Sequence, residues 1–502
     1  MGGKTAGLGA IVALAALGAA CAAGGASSAD SSVDGGTGAS TLLDGGTVAD
    51  GVSGASPANA PPIYVATTGT DSALGTSPAS PVKTIQKGLD LAAACPGSPC
   101  AVLVAAGTYT QSLQLRDGVS LYGQYAADFS TRDASNVVTI TSGDTETVVA
   151  SGLTRTTTLD GVTVRGASLT TADGRSTYAL WVHASKSALF LSNDQVIGGT
   201  AASGSPGAPG GSLTCQSTGG AGGTADDCDS QAGGSGTASG DPVVGGAGGG
   251  GGSNNCPDAC PLVNSDGISA GTAGSAGADG ADGAGGMAAS STYGTFAAGL
   301  WSGVAGSAGM RGMHGTGGGG GGSGGTKRFR ACFGCDSLLG GVGVSGGAGG
   351  CAGDGGGPGG PGGASFALAT DSNVTLSDVS VVGGTGGAGG SGGAGAVGQP
   401  GTATAGTPGS ANAQKCGLID YESGPGASGG AGGAGGSGGG GAGGGGGPAF
   451  AGVTTSGGQI TQYRASFIAG TPGAGGAGGL GGAGAPTGAV GLMSAAGTLR
   501  AY

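Results

Sequence analysis

Little in this chain is suited to a conventional hydrophobic core. Aromatic residues make up 4% of the 502 and charged residues 9%, against about 25% charged in ordinary globular domains. That scarcity excludes a packed globule along the whole chain, because long Gly/Ala/Ser tracts bury too little apolar surface to offset the entropy of ordering them. Positive charge is the scarcer sign: 16 Lys and Arg stand against 28 Asp and Glu, a formal net charge of −12. The basic footprint that nucleic-acid binding requires is missing, so no nucleic-acid partner is expected. Attraction to an anionic membrane surface is disfavoured for the same reason. Proline totals only 20, and glycine is not confined to every third position, which excludes a collagen triple helix. No stretch reaches the roughly 20 consecutive apolar residues of a transmembrane helix.

What is abundant is glycine, 132 residues of it, and it is unevenly spread. Residues 1–20 read as a secretory signal peptide: a short n-region ending at Lys4, an apolar run from Leu8 to Leu17, then Gly18-Ala19-Ala20. The following Cys21 resembles the lipid-accepting cysteine of bacterial lipoproteins, although Gly18 holds the place usually taken by Leu, with Leu17 one position further back. The resemblance implies lipidation at Cys21, a bilayer partner through that anchor, and a cell-surface or outer-membrane location. Ordinary cleavage would instead leave a periplasmic or secreted protein. Residues 21–61 read as a disordered tether kept solvated by Asp30, Asp34, Asp44 and Asp50, with a reach of roughly 35 Å.

Order is expected from Ile63. Ile63-Tyr64-Val65 reads as a strand, Gly69 to Pro81 as a turn region, about Val82 to Ala94 as a short helix with Ile85, Leu89 and Ala92 on one face, and Val102-Leu103-Val104 as a second strand. Gly107-Thr108-Tyr109 follows, and then Gly118-Val119-Ser120-Leu121-Tyr122-Gly123. Residues 63–125 resemble the N-terminal cap and first coil of bacterial pectin-lyase-like β-helix proteins, including a widespread family of unknown function. The resemblance implies a fold, an all-β right-handed parallel β-helix with a short cap helix. It implies no activity, because that superfamily hosts lyases, hydrolases, adhesins and phage spikes.

Internal repeats point the same way. Ser187–Thr200, Ser372–Thr385 and Gly458–Thr471 align over fourteen residues as two short alternating strands separated by a polar corner, and Thr157–Ala167 matches without the tail. Alternation places Val374, Leu376, Val379 and Val381 on one buried face. One copy cannot bury that face alone, whereas stacked copies can. Asp194 falls where Val379 sits, which predicts a register adjustment there.

Three of these segments run directly into glycine: Gly198-Gly199-Thr200, Gly383-Gly384-Thr385 and Gly470-Thr471. Two long tracts return through Phe366-Ala367 and Phe450-Ala451. The division expected is therefore 62–197 cap and first coils, 198–365 glycine-rich insertions with a short intervening strand, 366–382 a coil, 383–448 an insertion, 449–470 a coil, and 471–502 a glycine-rich tail with a final strand. All insertions leave at one equivalent corner, and such a face is often the working face of a repeat protein. The tracts resemble the polymorphic glycine-rich regions of bacterial surface proteins. Composition alone reads as disordered coil. Their local period of three allows instead a bundle of polyproline-II-like helices pairing through bare backbone.

Signals for chemistry are weak. Gly2-Gly3-Lys4-Thr5 lacks the strand and loop of a phosphate-binding site. Asp279, Asp282 and Asp354 form no calcium-binding nonapeptide. A β-helix lyase would need a cationic base beside an acidic or calcium-bound substrate. Asp160, Arg165, Arg175, His183, Lys186 and Asp194 are the groups at hand, and they alternate outward as surface residues do. Lys327-Arg328-Phe329-Arg330 is a short basic patch that could meet an anionic glycan or head group. No catalytic, metal or cofactor residue is assigned.

Cysteine numbers eleven, and ten without Cys21. Export favours disulfides over a zinc site built from Cys256, Cys260, Cys332 and Cys335. Cys95 and Cys100 bracket a Pro-Gly-Ser-Pro turn and are expected to pair. The glycine tracts run about 198–292, 302–364 and 383–448; Cys215, Cys228, Cys256 and Cys260 then fall in the first and can pair among themselves, Cys332, Cys335 and Cys351 fall in the second, and Cys416 is alone in the third. Parity forces Cys416 to a partner across tracts, which predicts a staple to the second. The function expected is a non-enzymatic surface protein displaying stacked glycine loops for adhesion, matrix contact or coating, with glycans or surface polymers as partners. The alternative is a β-helix carbohydrate-active enzyme or glycan-binding module.

Overall fold

A computed structural model describes residues 61–502, apart from 97–98, 227, 238–244, 257–266, 292–293, 298–299, 328–336 and 417–418, and apart from the side chains of 416 and 419. The signal peptide, Cys21 and the tether therefore lie outside the described residues.

The framework is almost entirely strand, arranged as three parallel sheets with one helix. The first sheet orders Ile63–Val65, Val102–Ala105, Leu121–Tyr125, Thr157–Asp160, Leu189–Ser192, Asn373–Ser377 and Gln459–Tyr463. The second orders Gly107–Thr110, Val138–Thr141, Thr163–Arg165, Gln195–Ile197, Ser380–Val382 and Ser466–Ile468. The third orders Leu113–Gln114, Glu146–Ser151, Thr177–His183, Ser365–Thr370, Ala449–Thr454 and Ala496–Ala501. From Val102 onward the chain visits the sheets in the fixed order first, second, third, and each strand pairs with its counterpart one circuit earlier.

The repeated segments stack in register. Leu189 pairs with Val374 and Val374 with Ile460, while Val196 pairs with Val381 and Val381 with Phe467. Alternating apolar residues give strands with one buried face. Here that face joins Leu159, Val164, Leu191, Val374, Leu376 and Val381 in one continuous cluster. The polar corner between the first and second sheets is a single left-handed residue. Gly161 (φ 75°), Asn193 (53°), Asp378 (56°) and Arg464 (50°) occupy it in four successive circuits. Glycine takes that backbone conformation without cost, and Asn and Asp tolerate it better than most residues. Arg464 is held there by a bidentate pair to Asp378 of the preceding circuit, at 2.6 and 2.7 Å.

The helix spans Ile85–Ala93, shorter at each end than its apolar pattern suggested. Thr84 caps it by accepting from the Lys87 amide, and Asp71 in turn accepts from the Thr84 amide and hydroxyl. Ile85, Leu89 and Ala92 are fully buried in the same cluster as Val65 and Val102. A disulfide joins Cys95 to Cys100 just beyond the helix. Its closed loop is short, so replacing both cysteines by Ser should lower stability by about 2 kcal/mol at most. Thermal unfolding of the double variant measures the loss, and an unchanged transition would show the bond to be dispensable.

One expectation is corrected. Asp194 causes no register shift: Gln195 and Val196 stay opposite Ser380 and Val381. The Asp194 carboxylate points into the corner and accepts from the main-chain amides of Val162 (2.7 Å) and Ser192 (3.2 Å). It occupies a buried position because it satisfies amides that the ladder leaves unpaired.

Candidate functional site

The residues that set this chain apart are those that leave the framework. After Ile197, Val382 and Ile468, each at the end of a second-sheet strand, the chain departs into glycine, and it re-enters at Ser365, Ala449 and Ala496 of the third sheet. All three excursions therefore span the same corner. Thr200, Thr385 and Thr471 form successive parallel bridges at the exit.

The excursions are ordered by backbone hydrogen bonds with a period of three. Gly204, Gly207 and Gly210 donate to Ala388, Ser391 and Ala394, and Gly389, Gly392 and Gly395 donate to Ala474, Ala477 and Leu480. The return segment near residues 433–447 sits among three neighbours. Gly435, Gly438, Gly441 and Gly444 donate to Gln399, Ala396, Gly393 and Gly390. Gly433, Gly436 and Gly439 donate to Thr316, Met313 and Met310. Gly440, Gly443 and Gly446 donate to Pro486, Ala489 and Leu492. Successive residues thus point their amides in three directions, as a three-residue-per-turn helix requires. Backbone groups with no partner inside their own segment find one in the next, which meets the demand that buried main-chain polar groups be paired.

Glycine is required by the closeness of that packing. A Cβ on Gly441 would overlap the Gly357 carbonyl oxygen and lie 2.6 Å from its carbon. Side chains are confined to the outer third of each turn: Thr385, Ala388, Ser391 and Ala394 are exposed while Gly387, Gly390 and Gly393 are buried.

Disulfides tie segments of the first excursion to one another. Cys215 bonds Cys351, 136 residues away, and so joins the first tract to the second; Cys228 bonds Cys256 within the first. Pairing of the first-tract cysteines among themselves, which the sequence allowed, does not hold for Cys215, because Cys351 takes it. Cys256 is in a disulfide with Cys228, as expected in preference to zinc ligation. Cys416 ends the strand Ala413–Cys416, which pairs antiparallel with Ile419–Glu422, but its side chain lies outside the described residues, as do Cys260, Cys332 and Cys335.

The candidate chemical residues separate into groups. Asp160 and Asp194 do not face outward as their alternation suggested: both are buried, and Asp160 pairs with Arg132 at 3.0 Å and accepts from the Asn193 side-chain amide at 3.0 Å. Asp194 lies beside it. Burial raises the Asp194 pKa well above the ordinary carboxylate value, the Val162 amide opposes this, and the negative charge of Asp160 adds to it. His183 stacks on Trp181 with ring centroids 4.1 Å apart, and Lys186 is exposed. Lys327 is buried over the Tyr421 ring at 4.4 Å and so is not a surface cation, while Arg328 and Arg330 lie outside the described residues.

Arg175 reaches a groove that the sequence reading missed. Gly174, Arg175, Thr145, Glu146, Tyr178, Leu300 and Trp301 enclose about 270 Å³, and a neighbouring groove of about 340 Å³ adds Asp144, Ser112 and Gln114. Arg175 pairs with Asp173 at 2.7 Å. Trp301 comes from the hairpin Thr295–Ala297 and Leu300–Ser302, and its amide donates to the Tyr178 hydroxyl at 2.9 Å. Burial pushes the Tyr178 hydroxyl up to about 12. Nothing in the spacing of Asp144, Glu146 and Arg175 announces the groove, because the Trp301 wall arrives from more than a hundred residues away.

Among the described residues no group of His, Cys, Asp and Glu could hold a metal ion, and no helix is long and apolar enough to cross a membrane. No family model, curated protein or solved structure matches the chain.

Proposed function

We propose that the chain is a non-enzymatic surface protein of bacterial type, in which a right-handed parallel β-helix of the pectin-lyase-like kind holds a glycine bundle away from the cell. The observation that carries this reading is the bundle itself: residues 433–447 donate backbone hydrogen bonds to three neighbouring segments from one corner of the framework. A periodic array of small exposed side chains on a hydrogen-bonded backbone suits contact with an extended partner better than turnover of a small one. The signal-like residues 1–20 and Cys21 support export and lipid anchorage, and adhesion, matrix contact or coating is the role proposed.

The test has two arms. Mass spectrometry of the mature N-terminus should find a diacylated Cys21 and membrane-fraction protein; a free, unmodified terminus on soluble protein would end the anchor proposal. Cells displaying the chain should lose attachment to matrix or to one another when the excursions are replaced by short turns, with surface level unchanged. Equal attachment would remove the display role.

The groove bearing Asp144, Glu146 and Arg175 beside Tyr178 and Trp301 is the observation that favours the second reading, a carbohydrate-active or glycan-binding module. Incubation with a panel of uronic-acid polysaccharides separates the two, since unsaturated products would require the enzyme.

A further inference from the structure

A second trough, beside the exit corner, has a different chemistry. Thr141, Arg165, Ser168, Thr200 and Thr385 line it with the Gly198-Gly199 and Gly384 backbone, around about 420 Å³. Thr141 and Arg165 end second-sheet strands of circuits with shorter connections, to Glu146 and Thr177 of the third sheet. No carboxylate lines the trough, although the chain carries a net charge of −12. Ser142, also of its lining, contacts the Ser112 hydroxyl, which donates to Asp144 at 2.6 Å.

Its donors are uncommitted. Among the described residues the Arg165 guanidinium has no acidic partner, in contrast to Arg116, Arg132, Arg155, Arg175 and Arg464. The exit segment donates through Gly198 to Val382, through Thr200 to Ala167 and through Thr385 to Gly199, and among the described residues the Gly199 and Gly384 amides have no acceptor. Main-chain amides at a buried or half-buried position normally have partners. Main-chain amides that line a trough beside a cation can donate to an oxyanion.

We propose that this trough binds a phosphate or sulfate ester of a saccharide, with the oxyanion on Arg165 and the exit-corner amides and the sugar against the Thr141, Ser168, Thr200 and Thr385 hydroxyls. Arg matches such oxyanions with two parallel N–H donors. A tetrahedral group with three terminal oxygens uses the amides as well, whereas a planar carboxylate has only two. The volume exceeds a bare ion and lies in the range of small-ligand sites. This inference is independent of the display role, because it concerns the framework beside the bundle and not the bundle surface.

Isothermal titration of the full chain with glucose 6-phosphate, glucose 6-sulfate, glucuronate and glucose tests it. One or both esters should bind, weakening with added salt, and the stronger of the two identifies the phosphorylated or the sulfated source. Arg165→Ala should weaken binding at least tenfold and Arg165→Lys less. Arg165 is exposed, so the variants should fold, which circular dichroism checks. Should Arg165→Ala fail to fold, Thr200→Val provides the second measure, with a severalfold loss expected. Failure of both esters to bind, equal binding by Arg165→Ala, or equal binding of glucuronate would overturn the assignment.

Discussion

Replacing Leu376 by Asp is expected to unfold the middle of the framework. Leu376 has no exposed surface and sits in a column with Leu121, Leu159 and Leu191. A buried Leu lost to a cavity costs about 2–5 kcal/mol. A carboxylate left without a partner in the same place adds several more, unless it is protonated. The sum, on the order of 5 kcal/mol or more, rivals the whole stability of a typical domain. Each circuit is supported by its neighbours, so the loss should spread to the circuits on either side. Gln462 provides the control. It continues the same column in the last circuit but is exposed, so Gln462→Asp should change stability by no more than about 0.5 kcal/mol. Chemical denaturation of the two variants separates position in the column from burial. A Leu376→Asp protein with unchanged stability would contradict the stacking of the repeats.

The column was legible because a strand repeats every two residues and a buried face must be apolar. Val374, Leu376, Val379 and Val381 are all buried as the alternation of their segments requires. The exit corner was legible for a related reason: the glycine runs begin at the same place in three aligned segments, and Thr200, Thr385 and Thr471 stand in register there. Asp194 was misread because pattern reasoning treats an acid at an apolar position as an interruption. The corner presents amides that only an acceptor can satisfy, and the carboxylate of Asp194 is that acceptor.

Long-range pairing was not legible. Cys215 meets Cys351, and Trp301 meets Tyr178, across more than a hundred residues of nearly featureless composition. Glycine carries no side chain with which to encode register, so residues in the tracts give no sign of which segment lies beside which. Parity among cysteines pointed to a staple from Cys416 to the second tract and not to the Cys215–Cys351 bond that joins the first tract to the second. The Arg165 trough was hidden for the same reason. Its walls come from separate circuits and from glycine amides whose chemistry is invisible in a one-letter code.

Gly441→Val tests whether the bundle depends on bare backbone. The Gly441 amide donates to Gly393 at 2.9 Å, and its α-carbon faces the Gly357 carbonyl so closely that any β-carbon must displace that strand. Overpacking a side-chain core costs about 1–3 kcal/mol, since rotamers and backbone can shift. Here the atoms in the way are themselves backbone and are held by their own hydrogen bonds, as Gly357 is to Ala208 at 2.7 Å. The cost should therefore reach at least the upper end of that range, with the added loss of the Gly441 hydrogen bond. The segments around 354–363, 387–399 and 433–447 should separate locally, while the apolar stack retains its own cluster. Ala394→Val is the matched control, because Ala394 is exposed on the outer third of its turn and a larger side chain there meets solvent. Hydrogen exchange resolved along the chain reads both variants. Gly441→Val should lose protection throughout those three segments and keep it in strands such as Asn373–Ser377, whereas Ala394→Val should match the parent. Full protection in Gly441→Val would mean that the segments are not packed backbone to backbone, and the rigid display surface would have no physical basis.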